Sequence, residues 1–459
     1  MQASGGSGGG VMKQPRSYLD HNATSPLRPE ARAAMVAAFD CIGNPSSIHA
    51  EGRAARQIAE DARETVAALF EVAPDRVYFT SGGTEAANWL LQPRGEETLA
   101  VSAVEHPCVL SGHRFEPGKS RAVPAFEDGA LDLAALEAAL SPGSVAAVQA
   151  ANNETGAVQR TAEIAEMVHS KGAVLICDAV QAVGRLPLRL LKDADVLFFS
   201  AHKFGGPKGA GAAILRNPGF VPAPLLKGGG QERRQRSGTE NVPGVAGLAA
   251  ALEAAVAEQV QFAARAKALR DKLECGIRDI APDAVIFGLP SAGAFQHGAP
   301  NEGFAPHPAP LPVGEGPQEF PLRAVQGSLL PGGEGQDVGS ELRAYRRDGA
   351  AARLPNTTCF AVPGKSAEFS LMAFDLEGIA VSSGSACSSG KVERSHVLAA
   401  MGVPQDLARG AIRVSTGWTT TEADIERFLT VLSSICERRE ARHGICSSSG
   451  RSSEAGPAV

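Results

Sequence analysis

Short apolar runs alternate with helix-like segments along the first half of the chain, and each run ends abruptly in polar residues. The pattern predicts strands at residues 76–80, 98–104, 145–150, 174–178 and 195–199. Helices are predicted between them, for example at residues 84–91 and 161–169. Because buried strands that alternate with helices are typical of parallel sheets, we predict an α/β fold with a mostly parallel sheet.

Two of these strands lead into residues of opposite charge. One ends at Asp178, and the other continues through Ser200-Ala201-His202 to Lys203, which is followed by a glycine-rich stretch. In open α/β sheets, ligands bind beyond the carboxyl ends of the strands. A lysine that forms an imine and an acid that pairs with a pyridinium nitrogen are what pyridoxal phosphate (PLP) requires of a protein. The alternative for Lys203 is an ordinary surface lysine.

Two further strand ends carry candidate cofactor groups. Ser81-Gly82-Gly83-Thr84 joins a strand to a helix, so its N–H groups and the positive helix end suit a phosphate. The alternative there is an ordinary helix N-cap at Thr84. His106 precedes a proline, where it can stack on a cofactor ring and move protons near neutral pH. A surface histidine without a role is the alternative.

Candidate substrate chemistry lies near the C-terminus. Residues 381–390 are dominated by Ser, Gly and Ala around Cys387. Such a segment cannot build a core, so we expect Cys387 to be an exposed thiol on a mobile loop rather than an inert core cysteine. Arg413 lies in a predicted strand, where its planar guanidinium suits a substrate carboxylate; a structural ion pair is the alternative.

Composition narrows the class of protein. The 459 residues carry a net charge of −6, which gives no indication of nucleic acid or an anionic membrane surface as a partner. No apolar run reaches the ~20 residues that span a bilayer, and the Ser/Gly-rich start lacks the apolar core of a secretory signal. The eight cysteines form no Cys-x-x-Cys pair, so we expect no zinc ribbon. Several, such as Cys177 and Cys436, lie in apolar segments, as is typical of buried thiols in a reducing compartment, and we expect a cytoplasmic location.

One stretch breaks the pattern. Residues 289–352 contain nine prolines and eleven glycines in 64 positions and show no sustained period. This content exceeds the roughly 25–30% that marks low complexity. Because a structureless loop of this length inside a domain is uncommon, we interpret it as a disordered insertion, with a partner-binding loop as the alternative. Residues 1–14 and 446–459 are expected to be flexible tails.

Taken jointly, these motifs resemble the cysteine desulfurases of the NifS/IscS type, in the class-V branch of fold-type I PLP enzymes. The matching segments run in family order from about residue 18 to 440. They are YLDHNAT (18–24), NPSSIH (44–49), SGGTE (81–85), EH (105–106), NNETG (152–156), DAVQ (178–181), SAHK (200–203), RSGT (236–239) and SSGSAC (382–387).

The resemblance implies the domain organisation. A large domain, residues 32–268, is expected to contain a mostly parallel seven-stranded sheet. Residues 269–445 are expected to form a smaller α+β domain, interrupted by 289–352, and residues 15–31 to pack with it. The resemblance also implies a homodimer in which the two subunits share their active sites.

The resemblance implies a role for each matching cofactor residue. Lys203 binds the PLP aldehyde, Asp178 pairs with the pyridinium nitrogen, and Gln181 pairs with the ring oxygen. His106 stacks on the ring and handles protons. The groups that hold the phosphate are Gly83, Thr84, Ser200, His202 and, across the homodimer interface, Thr239.

On the substrate side, the implied reaction converts L-cysteine to L-alanine. Asn153 contacts cofactor and substrate, and Arg413 binds the substrate carboxylate. Cys387 takes the sulfur as a persulfide and passes it to an acceptor or scaffold protein, for iron–sulfur cluster assembly or tRNA thiolation. The alternatives are another class-V enzyme, such as an aminotransferase or a selenocysteine lyase, and a degenerate paralogue that only binds a partner.

Overall fold

A computed structural model of the chain describes residues 16–289, 352–383 and 395–448, with side chains to 437 in the last range. The strands are β1 Ser17–Tyr18, β2 Val77–Thr80, β3 Leu99–Ser102, β4 Ser120–Val123, β5 Val145–Gln149, β6 Val174–Asp178, β7 Val196–Ser200, β8 Gly211–Leu215, β9 Val285–Ile286, β10 Thr357–Ala361, β11 Ile379–Ala380, β12 Ser382–Ser383 and β13 Ile412–Ser415. The helices are α1 Pro29–Phe39, α2 Ala50–Leu69, α3 Gly83–Leu90, α4 Pro107–Leu110, α5 Leu133–Ala139, α6 Thr161–Ser170, α7 Val242–Ala257, α8 Gln259–Ile280, α9 Ala367–Leu376, α10 His396–Ala400, α11 Gln405–Ala408 and α12 Glu422–Ser448.

The largest sheet has seven strands in the order β2-β8-β7-β6-β5-β3-β4. The strand β8 runs antiparallel to β2 and β7, and the other neighbours are parallel. This confirms the predicted α/β fold with a mostly parallel seven-stranded sheet. The five strands predicted from apolar runs correspond to β2, β3, β5, β6 and β7, with bounds that differ by at most two residues.

Both faces of this sheet are buried, which explains why its strands are continuously apolar. Alternate residues of β7 enter two different cores: Leu197 and Phe199 pack on one face, whereas Val196 and Phe198 pack on the other. Successive side chains of a strand point to opposite faces, so a strand covered on both sides has no exposed position for a polar residue. The polar residues of β6 and β7 therefore occur at their carboxyl ends.

A second, four-stranded sheet in the order β12-β13-β10-β9 lies in the C-terminal half of the chain. The N-terminal strand β1 pairs in parallel with β11, and the backbone N–H of Ser415 in β13 donates to the carbonyl of Leu19 at 2.8 Å. Residues 19–24 are thereby fixed beside β13. This attachment matters for the site, because the residues that follow Leu19 reach Lys203.

Residues 290–351 lie outside the described ranges, and their interpretation as a disordered insertion stays a prediction. The ends of the insertion are adjacent: a Cβ placed on Gly288 would lie 3.5 Å from Cδ of Arg353. Arg353 forms a buried ion pair with Glu274 of α8, and the N–H of Leu354 donates to the carbonyl of Gly156 at 2.7 Å. The flanks are thus held by the fold independently of what lies between them.

We predict that joining Gly288 directly to Arg353 leaves PLP binding and turnover of cysteine nearly unchanged. Closing a long flexible loop costs an entropy that grows only slowly with length, and the two ends are already in place. The matched control is Arg353→Ala in the full-length chain, which leaves Glu274 buried without its cation and is expected to cost about 3–5 kcal/mol of stability. A shortened chain that folds but has lost turnover would assign these residues to the catalytic machinery.

Candidate active site

Lys203 lies on a short 3₁₀ turn, Ala201–Lys203, that follows β7. Its Nζ donates to the carbonyl oxygens of Asn22 at 2.8 Å and Ala23 at 3.0 Å. Burial, and then the positive charges of Arg185 and Arg413, lower the pKa of the amine to about 8. A substantial fraction of the amine is therefore neutral and nucleophilic near physiological pH.

Two buried carboxyl groups of the site lie close enough to interact. Asp178 ends the adjacent strand β6, is buried, and accepts a hydrogen bond from the N–H of Val180 at 2.8 Å. Burial raises the pKa of Asp178 to about 6, an effect that Lys203 opposes. Glu105 is fully buried, and burial together with the Asp178 charge raises the pKa of its carboxyl well above the usual range. Since two neighbouring buried carboxyls do not both ionise, Glu105 holds the proton and Asp178 the charge.

His106 caps the N-terminus of α4. Its Nδ1 accepts a hydrogen bond from the backbone N–H of Cys108 at 3.1 Å, so the neutral ring carries its hydrogen on Nε2. Burial, followed by the charges of Lys203 and His396, lowers the pKa of His106 to about 4. The ring is therefore neutral at physiological pH, and its orientation is fixed by the cap.

The turn between β2 and α3 has the form of an anion cup. The N-cap of α3 is Gly82, which brings no side-chain hydrogen bond, so the alternative of an ordinary N-cap at Thr84 is wrong. The N–H of Gly83 donates to Oγ of Ser200 at 2.7 Å, and a Cβ on Gly83 would approach Val180 to 2.8 Å. A helix N-terminus whose N-cap residue supplies no side-chain cap, and whose first N–H meets a serine hydroxyl, suits a phosphate.

Two more predicted cofactor residues lie around Lys203. Nδ1 of His202 lies 3.2 Å from Oγ1 of Thr24. Nε2 of Gln181 donates to the carbonyl of Asn22 at 3.0 Å, and its Oε1 accepts a hydrogen bond from Arg185. The structure thus gathers the predicted groups of β6, β7 and the 3₁₀ turn at one edge of the large sheet.

Arg413, in β13, faces this edge from the smaller sheet. Its Nη2 donates to Oδ1 of Asp20 at 2.8 Å and its Nη1 to the carbonyl of Asn153 at 3.2 Å. The structural ion pair that the sequence left as the alternative is therefore present. Nε of Arg413 is buried and has no hydrogen-bond partner among the described residues, and the binding of a substrate carboxylate stays a prediction.

For two predicted site residues, the structure shows no contact with the groups around Lys203. Cys387 lies outside the described residues. Thr239 is exposed, on a loop whose Arg236 forms an ion pair with Glu85 at 2.9 Å. Its assigned contact across a subunit interface stays a prediction.

Asn22 is a central residue of the site to which the sequence gave no role. Its carbonyl oxygen accepts from Lys203 and Gln181, and its Nδ2 donates to the carbonyl of Asn153 at 3.1 Å and to Oγ1 of Thr357 at 2.9 Å. The signal in the sequence was that Asn22 lies in the matching segment YLDHNAT, residues 18–24, to which the resemblance attached no role. It connects the N-terminal segment to both sheets.

The donor set fits PLP. It combines a buried lysine amine with a lowered pKa, a buried carboxylate on the adjacent strand, a ring-sized aromatic base in His106, and a glycine cup where a Cβ has no room. Within the described ranges, no cluster of His, Cys, Asp or Glu side chains is arranged to hold a metal ion. None of the helices that the structure describes is both long and apolar enough to cross a membrane.

Comparison with known proteins gives a consistent result. Residues 17–291 match the model of the aminotransferase class-V family. The cysteine desulfurase of Cereibacter sphaeroides is 38% identical over 93% of this chain and 97% of its own length. The IscS-like cysteine desulfurase of Mycobacterium tuberculosis is 34% identical over 95% of this chain and 100% of its own length. A NifS-like protein of Rickettsia africae has a similar structure, with a TM-score of 0.72 and 28% identity over 92% of this chain and 99% of that one.

Proposed function

We propose that PLP bound at Lys203 serves the removal of sulfur from L-cysteine, because this chain belongs to the aminotransferase class-V family and, within it, to the cysteine desulfurases. The observation that carries the proposal is the partly buried Lys203 amine, with its pKa lowered to about 8, next to the strand that ends at the Asp178 carboxylate. A lysine that served only as a surface charge would not lose its hydration in this way.

Each cofactor residue has a task that its surroundings support. Asp178 keeps a negative charge where the ring nitrogen would lie, which holds a proton on that nitrogen. Gln181 offers its Nε2 as a donor to the ring oxygen. The cup formed by Gly83, Thr84 and Ser200 takes the phosphate. When bound, PLP supplies an electron sink that stabilises negative charge on the substrate carbons.

Proton movement falls to His106 and Lys203. His106 is neutral, with its hydrogen on Nε2, so it can donate that hydrogen to the substrate and recover it. The Lys203 amine, once released from the cofactor, is poised near neutrality and can carry a proton at the substrate α-carbon. Arg413, whose Nη1 donates to the carbonyl of Asn153, would bind the substrate carboxylate, and Asn153 would help to orient the substrate.

Cys387 completes the reaction. Its thiolate attacks the substrate sulfur, the carbon–sulfur bond of cysteine breaks, and the carbon regains a proton, so that L-alanine leaves and Cys387 becomes a persulfide. The terminal sulfur then passes to an acceptor protein, for iron–sulfur cluster assembly or tRNA thiolation. The support for Cys387 is the small, polar composition of its surroundings, which gives the residue no packing task.

Product identification tests the proposal. The protein, supplied with PLP and L-cysteine and a reducing thiol, is expected to release L-alanine and sulfide in equal amounts. Formation of a keto acid instead of alanine would indicate an aminotransferase, and a reaction with selenocysteine but not cysteine would indicate a selenocysteine lyase. Either result would overturn the proposal.

We also propose that the functional unit is a homodimer with shared sites. Four apolar side chains on α1 and in the segment that follows it are more than half exposed in the single chain: Val36, Phe39, Ile42 and Ile48. Exposed apolar patches of this kind mark protein–protein contacts.

The turn before Thr239 is strained, with positive φ at Glu232, Arg233 and Arg234, and Glu232 is held by a buried ion pair with Arg63. Strain maintained in this way indicates that the position of the loop matters.

A mixed dimer tests the shared site. Lys203→Ala cannot bind the cofactor covalently, and Thr239→Asp places a negative charge against the phosphate of the neighbouring site. Each homodimer is expected to be inactive. A purified heterodimer of the two variants is expected to regain one functional site and about half of the activity, because one site then has an intact lysine and an intact threonine. Absence of recovery in verified heterodimers would show that each site is built within one subunit.

A further inference from the structure

We propose that Arg185, to which neither the sequence nor the reaction assigns a role, is a positioning residue that acts on Lys203 as a buried positive charge without a counter-ion and keeps the lysine available as a neutral amine. The inference rests on the proposed attachment of PLP to Lys203. It concerns how the protein prepares the amine before the cofactor arrives.

Arg185 is 3% exposed, and all of its hydrogen bonds go to neutral acceptors. Nη1 donates to the carbonyl of Gln181 at 3.0 Å and to the side-chain oxygen of the same residue. Nη2 donates to the carbonyls of His21 at 3.2 Å and of Lys203 itself at 3.1 Å. In the part of the chain that the structure describes, no carboxylate pairs with this guanidinium.

An uncompensated cation at this position opposes a second positive charge on Lys203. Burial lowers the pKa of Arg185 to about 9, so the guanidinium remains charged at neutral pH. The charge of Arg185 lowers the pKa of the Lys203 amine, and after burial it is the largest cause. Arg413 acts in the same direction but is paired with Asp20 at 2.8 Å. The other titratable groups around this pair are Asp20 and Asp178, whose charges raise the pKa of Lys203, and His21, His106, His202 and Lys208.

Arg185 also fixes the orientation of a cofactor residue. A guanidinium can only donate hydrogen bonds, so the group that Gln181 turns toward it must be Oε1. Nε2 of Gln181 then faces the site as a donor, where it contacts the carbonyl of Asn22 at 3.0 Å. The same donor is required by the ring oxygen of PLP. One buried arginine thereby sets both the charge of the lysine and the orientation of the amide.

Arg28 is a matched control. It is also buried, at 5% exposed, and lines the same small cavity as Arg185 and Lys203. Its Nε donates to the carbonyl of Phe204 at 3.0 Å. Unlike Arg185, it has a counter-ion, because its Nη1 donates to Glu258 at 2.9 Å. Removing Arg28 therefore disturbs the packing of the same region without removing an uncompensated charge.

The experiment measures attachment of PLP to the full-length apoprotein as a function of pH. The initial rate of appearance of the visible absorption of lysine-bound PLP is followed, and the adduct is reduced with borohydride and mapped to Lys203. Thermal unfolding of each variant verifies the fold. In Arg185→Met, the pH profile of attachment is expected to move toward higher pH by about one pH unit, since a charge a few ångströms away shifts a pKa by about 1–3 units. The rate at neutral pH falls about tenfold, because each pKa unit changes the neutral fraction of the amine by that factor.

The other variants separate charge from packing. Arg185→Lys keeps the charge, so its pH profile is expected to coincide with that of the unsubstituted protein, and so is the profile of Arg28→Met. If Arg185→Met does not fold, Arg185→Gln, which retains a donor for the carbonyls, gives the same comparison. A folded neutral variant with an unshifted profile, or an equal shift in Arg28→Met, would overturn the inference. Absence of any reducible adduct at Lys203 in the unsubstituted protein would instead overturn the proposed function.

Discussion

Lys203→Ala is expected to fold normally but to lose both covalent attachment of PLP and turnover of cysteine, with activity reduced by about 10⁴-fold or more. The reason is that the amine of Lys203 is partly buried, donates to two carbonyl oxygens, and has its pKa shifted toward neutrality, so that it is both nucleophilic and correctly placed. PLP attachment and turnover of cysteine are therefore expected to depend on the Lys203 amine itself and not on the net charge of the site.

Lys208→Ala is the matched control, since Lys208 is exposed and lies in the same glycine-rich stretch. It is expected to retain the visible absorption of bound PLP and most of the activity. The measurement is borohydride reduction followed by peptide mapping, combined with the rate of alanine formation. A reducible adduct that persists in Lys203→Ala would show that another lysine binds the cofactor.

Cys387→Ser is expected to separate the two halves of the reaction. The variant binds PLP at Lys203 and shows the spectral change on adding cysteine, because none of the groups that hold the cofactor is altered. Formation of persulfide is expected to fall below detection, since a hydroxyl does not replace a thiolate as the sulfur acceptor. Cys108, a described thiol next to the site, cannot substitute, because burial and the charge of Asp178 raise its pKa.

The control is Cys275→Ser, which removes an exposed thiol from α8. This variant is expected to form persulfide at the unsubstituted rate, measured by thiol-specific labelling and mass spectrometry. If Cys387→Ser instead produced alanine at the full rate with an acceptor present, the sulfur carrier would have to be a different residue.

The sequence predicted the parts of this molecule that depend on local pattern. Continuous apolar runs predicted β2, β3, β5, β6 and β7, because a strand buried on both faces has no polar position until it ends. The same rule placed Asp178 and Lys203 at one edge of the sheet, since parallel strands end on the same side. The family resemblance added the roles, which no periodicity can provide.

The contacts that join distant segments could not be predicted from local pattern. Asp20 pairs with Arg413 across 393 positions of sequence, and Asn22 joins Lys203 to both sheets. Local periodicity indicates which face of an element is buried but not which distant polar group it meets. For the same reason the sequence assigned no role to Arg185, which follows β6. Its uncompensated charge is evident from its four neutral hydrogen-bond acceptors in the structure.

A single turnover without an acceptor tests the central claim most directly. The PLP-loaded protein is mixed with one equivalent of L-cysteine per site and no other thiol, quenched, and analysed for free alanine and for the mass of each cysteine-containing peptide. One alanine per functional site and one added sulfur atom, located on Cys387, are expected. Alanine without added sulfur on Cys387, or added sulfur on another cysteine at the same yield, would contradict the claim.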